Sequence, residues 1–158
     1  MKNKTIAAWL AFIGGPFGLH RFYLRGSGDL LGWLMPLPTF MGLYGLKRIQ
    51  QNGIEDPLSW LLMPLLGFSI ASCALTAIVY GLMSTEKWNQ WANPGAPLDS
   101  TAGATNWLTV GAIALSLLLG TTVLLSSIVF SFQRYFELQN QSPSITEWNQ
   151  PPPHVNQG

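Results

Sequence analysis

Four apolar stretches, separated by short polar segments, dominate the pattern of hydrophobic and polar positions along this chain. A bilayer core about 30 Å thick requires about 20 apolar residues in helical conformation. The third and fourth stretches exceed that length, whereas the first two fall near or below it. The pattern therefore predicts an all-α membrane protein, with four transmembrane helices arranged as two antiparallel hairpins. The stretches cover residues 6–24, 30–46, 58–83 and 107–132.

The first stretch is interrupted before it reaches the length of a full span. Pro16 lacks a backbone N–H and clashes with the preceding turn, and His20 and Arg21 follow soon after it. Two interpretations are open. Either the helix tilts and ends near Tyr23, or it ends near Gly15 and the residues after it fold at the membrane interface. No small-x-small cleavage site follows, so we expect no removal as a signal peptide.

Local sequence signals place bends and helix starts in the later stretches. Prolines at positions 36 and 38 are tolerated in a membrane helix when neighbouring helices satisfy the freed carbonyls. They predict a bend in the second helix. Asp56 followed by Pro57 predicts an N-cap and the first helical position of the third helix. Thr105 or Asn106 can cap the fourth helix.

The same pattern predicts the domain organisation. Residues 1–48 form a first hairpin unit, and residues 49–132 form a second transmembrane hairpin with an extramembrane loop at 84–106. We expect a polar loop at 47–56 between them. The tail at 133–158 is rich in Gln, Asn and Pro, which cannot bury a core, so we expect it to be disordered beyond its first turns.

Composition supports the membrane class and disfavours several functions. Only 9% of the residues are charged, against about 25% in soluble domains. The net charge of +1 offers no electrostatic footprint for nucleic acid. No catalytic arrangement and no metal-ligand spacing is visible, so we expect no enzyme, cofactor or metal. The spans hold no Asp, Glu, Lys or Arg except Arg21, which argues against an active transporter.

The distribution of Lys and Arg predicts the orientation, since cytoplasmic loops carry an excess of both. Five of the eight would share one side with both termini if all four helices cross. We therefore expect a multi-pass protein, in a bacterial inner (plasma) membrane, with both termini cytoplasmic and the 84–106 loop outside. The five residues are Lys2, Lys4, Lys47, Arg48 and Arg134.

Small residues recur every four positions in the later stretches. In lipid, such residues let helix backbones approach closely, so we predict a contact face that closes the second hairpin. The alternative is that small residues are simply common in membrane helices. The predicted packing residues are Ser69, Cys73, Ala77 and Gly81 in the third stretch, and Ala112, Ser116 and Gly120 in the fourth.

A corner of glycine, basic and aromatic residues follows the first helix. Its guanidinium must reach water, phosphate or carbonyl groups, and its aromatic rings can stack beside that charge. Two interpretations are open. The corner recognises either lipid headgroups or a partner helix, or it is a structural corner that anchors a short hairpin. The candidate residues are Gly14, Gly15, Gly18, His20, Arg21, Phe22 and Tyr23.

This corner, after a helix headed by Lys4, resembles the two-transmembrane (TM-two) domain family. In that family a lysine-headed helix leads into a Gly-Gly-x-Gly-x-His/Asp-Arg-Phe-Tyr-Leu-Gly corner and a second helix. The resemblance covers residues 4–47, with Arg25 where the family usually has glycine. It implies a helical hairpin and names an architecture more than an activity.

Two functional hypotheses follow. The first is a non-enzymatic interaction or scaffold module, whose corner contacts lipid headgroups or another membrane protein. The alternative is a subunit of a passive pore or small transporter, assembled as an oligomer. The expected partners are the lipid bilayer and either another membrane protein or a second copy, without nucleic acid.

Overall fold

A computed structural model of the chain describes residues 1–53 and 56–141, and its regular structure there is entirely helical. Short turns of 3₁₀ helix occur after the first helix and before the last one. The α-helices of the described residues are α1 (Lys4–Gly14), α2 (Leu19–Arg25), α3 (Leu30–Leu34), α4 (Pro36–Asn52), α5 (Pro57–Leu82), α6 (Thr85–Ala92) and α7 (Trp107–Gln141).

Two antiparallel helices, α5 and α7, form the framework of the fold. They contain 26 and 35 residues, or about 39 and 52 Å at 1.5 Å per residue. Both are long and apolar enough to cross a membrane. A core helix of a soluble protein would be mostly buried, whereas only 11% of the most apolar window of the last helix is buried. The predicted all-α class with apolar helices of membrane-spanning length is thus confirmed.

The first helix, α1, is too short to cross a bilayer. Its 11 residues reach about 16 Å, and α2 then brings the chain back alongside it. The Tyr23 hydroxyl accepts a hydrogen bond from the Asn3 N–H at 2.8 Å, and the Lys2 ammonium donates to the Leu24 carbonyl. The start of α1 and the end of α2 therefore share one end of the bundle, which we call the upper end.

The next two helices carry the chain to the opposite, lower end. α3 and α4 meet at Met35, whose backbone keeps helical angles (φ −58°, ψ −37°), so the bend expected from the prolines stays a prediction. The Thr39 hydroxyl lies 3.1 Å from the Ser69 hydroxyl, and a methyl group at Gly45 would lie 2.6 Å from Leu62 Cβ. Because later residues of α4 meet earlier residues of α5, the two helices are antiparallel.

The first stretch therefore forms two short helices instead of one helix of full length, and the count of four membrane crossings stays a prediction. It is α3 and α4 together that run the length of the bundle, and α1 ends at Gly14, as in the second interpretation of that stretch. The N-terminus contacts the 84–106 segment, because the Trp88 indole and the Asn93 amide donate to the Lys2 carbonyl at 2.9 and 3.0 Å. Since α7 runs from this upper end to the lower one, the described ends of the chain lie at opposite ends of the bundle. The side of a membrane on which each terminus lies stays a prediction.

Three predicted polar segments contain more helix than expected. Within 47–56, α4 continues to Asn52, so the predicted boundary at residue 48 lies inside a helix. The 84–106 segment holds α6, whose Trp88 is fully buried. The predicted tail begins inside α7, which reaches Gln141, and its remaining residues lie outside the described part of the chain.

The predicted helix starts agree with the structure. The Asp56 carboxylate accepts a hydrogen bond from the Ser59 N–H at 2.9 Å, as an N-cap of α5. The Asn106 side chain accepts from the Thr109 N–H at 3.0 Å at the start of α7. Each cap satisfies a backbone donor that the first helical turn leaves without an intrahelical partner.

Close approach of α4 to α5 gives a first prediction. We expect Gly42→Ala to destabilise the protein by about 1–3 kcal/mol, because the new methyl group would meet the Leu66 backbone nitrogen at 2.7 Å. Gly111→Ala is the matched control, since nothing lies within 4 Å of its added methyl group, and alanine there improves helix propensity by up to about 1 kcal/mol. Thermal unfolding in detergent measures both. Equal melting temperatures for the two variants would remove the close contact from the account.

Candidate functional site

The glycines of the predicted corner form the turn between α1 and α2. Gly18 has a φ of 74°, in the left-handed region, and a methyl group there would overlap the Gly32 carbonyl oxygen. Gly14 and Gly15 pack equally closely, against Leu19 and Cys73. Glycine is thus required by backbone conformation and by contact with α3, and the turn is enclosed by its neighbours.

Arg21 is held by a carboxylate of the same chain. Its Nε donates to Asp29 Oδ2 and its second terminal nitrogen lies 3.4 Å from Oδ1. The hydrogen bond from Arg21 holds the pKa of the Asp29 carboxyl below its ordinary value. Arg25 lies 3.9 Å from the same carboxylate and is more exposed. The guanidinium is therefore an anchor between α2 and the start of α3.

The aromatic and imidazole groups of the corner point inward. His20 is buried, its ring centroid lies 6.0 Å from that of Tyr80, and its Nδ1 has no hydrogen-bond partner within the described residues. The Phe22 ring packs edge-on against Trp33 at 5.3 Å. Tyr23 is tied to the N-terminus as described above. These contacts hold the corner against α5 and α3.

A buried lysine was missed by the sequence reasoning. Lys4 is fully buried, and its ammonium donates to the Met83 carbonyl at 2.8 Å and to the Thr105 hydroxyl at 2.6 Å. Met83 terminates α5, where the helix dipole favours a positive charge. The signal that could have found it is a lone lysine heading an apolar helix, whose stem can be buried while its charge reaches polar groups.

A second arginine–aspartate pair occurs at the lower end with the same spacing. Arg48 donates to both oxygens of Asp56, at 2.9 and 2.7 Å, and the two residues are eight positions apart, like the pair in the corner. The bonds from Arg48 and then from Ser59 hold the pKa of Asp56 well below its ordinary range. In both pairs the aspartate immediately precedes a helix. Arginine eight residues before such an aspartate, with glycine between, is the sequence signal.

The predicted stripe of small residues on α5 is divided between two partners. Ser69 meets Thr39 of α4, and Cys73 lies against Gly15. The lower half of the stripe therefore packs against the first part of the chain rather than against α7. The small side chains at these positions let the neighbouring backbones approach closely.

The upper half of the stripe faces α7. A methyl group at Gly81 would lie 2.5 Å from an Ile113 side-chain carbon, and one at Gly120 would lie 2.7 Å from Ala74 Cβ. The structure thus brings both glycines into the interface between α5 and α7. The other predicted packing residues, Ala77, Ala112 and Ser116, are fully buried.

The residues gathered here offer no visible catalytic arrangement. In the ranges 1–53 and 56–141, no group of three His, Cys, Asp or Glu side chains is placed to hold a metal ion. No family model, curated protein or solved structure matches the chain.

The corner gives the second prediction. We expect Arg21→Gln to lower stability more than Arg25→Gln, the matched control, because Arg21 makes the closer and less exposed bond to Asp29. Arg21→Lys should recover part of the loss, since lysine keeps the charge but not the planar fork. A cycle with Asp29→Asn should give a coupling free energy of about 0.5–3 kcal/mol. Thermal unfolding that is equally affected by the Arg21 and Arg25 variants would contradict the anchoring role.

Proposed function

We propose that this chain is a non-enzymatic interaction or scaffold module of a membrane. Its bundle lies in the bilayer with α3–α4, α5 and α7 crossing it, and α1–α2 entering from the upper end and returning. The observation that carries the proposal is the uncovered apolar surface of α7, of which only 11% is buried in its most apolar window. Water would disfavour so large a patch, whereas lipid or another membrane protein accommodates it.

The length of α7 supports the membrane placement. The Trp107 side chain is exposed at the upper end and the Tyr135 side chain at the lower end, about 42 Å apart along the helix. A bilayer with its interfacial regions is about 40–45 Å thick, and exposed Trp and Tyr are enriched at both interfaces. Trp33 and Tyr44 extend the two aromatic belts on other helices.

The charge distribution supports an orientation with the upper end in the cytoplasm. The upper end carries five of the eight Lys and Arg residues and the lower end three, and the side with more of them is usually cytoplasmic. Access to the N-terminus from the cytoplasmic side and to residue 140 from the opposite side tests this orientation. The five residues are Lys2, Lys4, Arg21, Arg25 and Lys87.

We further propose that residues 4–47 form a domain of the two-transmembrane (TM-two) family, which they resemble. The lysine at the head of α1 and the arginine of the corner both make specific contacts within the chain. We infer that the corner positions a half-length hairpin, and that its role in recognition is indirect. The surfaces left for partners are then the outer faces of the long helices.

A passive pore or small transporter subunit is the second candidate function. The end of α1 near the middle of the bundle favours it. α1 ends and α3 meets α4 near the middle of the bundle, next to the buried hydroxyl of Thr39 and the adjacent hydroxyl of Ser69. Broken helices at membrane depth are common in proteins that line a water-filled cavity. Solute flux into vesicles that contain the purified protein, lost on Thr39→Val, would favour this candidate.

Photocrosslinking in native membranes tests the interaction module and is the third prediction. A photoreactive residue at position 118 or 125, seven residues apart on the exposed face of α7, should capture the same protein partner. Position 113 is the control, because Ile113 packs against Gly81 within the chain. Adducts with lipid alone from both exposed positions would contradict the proposal.

A further inference from the structure

A groove between α5 and α7 continues the path of α1 into the lower half of the bundle. α1 lies against both long helices, through Gly15 at Cys73 and through the Thr5 hydroxyl, 2.7 Å from that of Thr109. Ile70 and Leu66 precede Cys73 by three and seven residues and so lie on the same face of α5. These two residues line the groove, which therefore lies below α1 on the same side of α5, next to α4 at Leu66.

The dimensions of the groove match one leaflet of a bilayer. It has a volume of about 360 Å³ and extends along α7 from Thr122 to Phe130, about 12 Å. The hydrocarbon of one leaflet is half of about 30 Å. Thr122 lies near the middle of the segment between the two aromatic belts, so the groove begins near the membrane midplane and runs towards the lower interface.

The lining is hydrocarbon together with hydroxyls that are already bonded. Ser126 donates to the Thr122 carbonyl at 2.8 Å, Ser127 to the Val123 carbonyl at 2.8 Å, and the Thr122 hydroxyl to the Leu118 carbonyl at 2.7 Å. A polar ligand would find few free partners, whereas a chain of methylene groups requires none. The remaining lining side chains are apolar, and include Met63, Ile70 and Phe130.

Two basic residues lie at the lower end of the bundle. Arg134 follows Phe130 by four residues and so lies on the same face of α7, where its guanidinium is already paired with Glu137. Lys47 is exposed at the lower end of α4.

We propose that this half-length groove binds one acyl chain of a phospholipid from the leaflet at the lower end. The re-entrant hairpin leaves the lower half of the site open, and the lipid chain completes the packing that α1 provides in the upper half. This inference rests on the membrane placement proposed above. The lipid then acts as a structural ligand that fills the space between α5 and α7.

The test uses the full chain in vesicles that contain a phosphatidylglycerol with a photoactivatable diazirine near the middle of one acyl chain. After illumination, mass spectrometry of peptides gives the adduct yield at each residue. We expect adducts at Ser126 and Phe130 to be enriched several-fold over those at Leu125 and Val129, which lie at similar depth on the exposed face of the same helix. Ser126→Trp fills the groove and should abolish the enrichment, whereas Val129→Trp should preserve it.

Each other outcome overturns the proposal in a distinguishable way. Equal labelling of groove and outer face would show bulk lipid only, with the membrane placement intact. Crosslinks between two chains through Ser126 would give the groove to a second copy. The absence of lipid adducts on either face would overturn both the groove and the membrane placement. Ile70→Phe fills the same groove from α5. Loss of the adduct enrichment in this variant as well would show that filling the groove, and not misfolding of Ser126→Trp, removes the lipid.

Discussion

The turn between α1 and α2 is packed against α3 and α5, so its backbone polar groups must be satisfied within the protein, and the rest of this fold depends on that requirement. Lipid offers no partner for a free N–H or carbonyl group. At the end of α1 the Gly18 N–H donates to the Gly15 carbonyl at 2.8 Å, and the Thr39 hydroxyl donates to the Pro16 carbonyl at 3.0 Å. Thr39 lies in the first turn of α4, so the start of this helix packs against the turn and satisfies one of its carbonyls.

The upper end fixes where this half-length hairpin lies. The Lys4 ammonium bonds the end of α5, Trp88 bonds the N-terminal backbone, and Arg21 bonds the carboxylate that precedes α3. The first two contacts join residues 79 and 86 positions apart, and the third joins two neighbouring helices. Together they tie α1 and α2 to the rest of the bundle.

Part of this arrangement could be predicted from the sequence. Local signals were sufficient where one residue decides the geometry, as at the Asp56 N-cap of α5 and the Asn106 cap at the start of α7. Length and hydropathy were sufficient for α5 and α7. The corner was recognised as unusual because charged, glycine and aromatic residues interrupt an apolar segment. The division of the Ser69–Gly81 stripe between two partners required knowledge of which helices pack together, which helical spacing alone does not contain.

The course of the first apolar stretch could not be predicted, because the same apolar segment can form one full-length helix or a hairpin that turns back. Hydropathy does not distinguish a tilted span from a hairpin that ends at Pro16, and the pairing of the N-terminus with Trp88 joins residues 86 positions apart. The burial of Lys4 has the same origin, since its carbonyl partner lies 79 positions away. Such contacts depend on the tertiary fold, which hydropathy and the count of Lys and Arg do not contain.

The most direct test of the half-length hairpin is the sidedness of three sites in sealed membranes. A tag before Met1, a cysteine at position 25 and a cysteine at position 140 are labelled with a membrane-impermeant reagent, in a chain that carries Cys73→Ala. The account predicts that the tag and position 25 are reached from the cytoplasmic side and position 140 from the opposite side. Labelling of the tag and position 25 from opposite sides would show that the first apolar stretch crosses the bilayer, and would contradict the account.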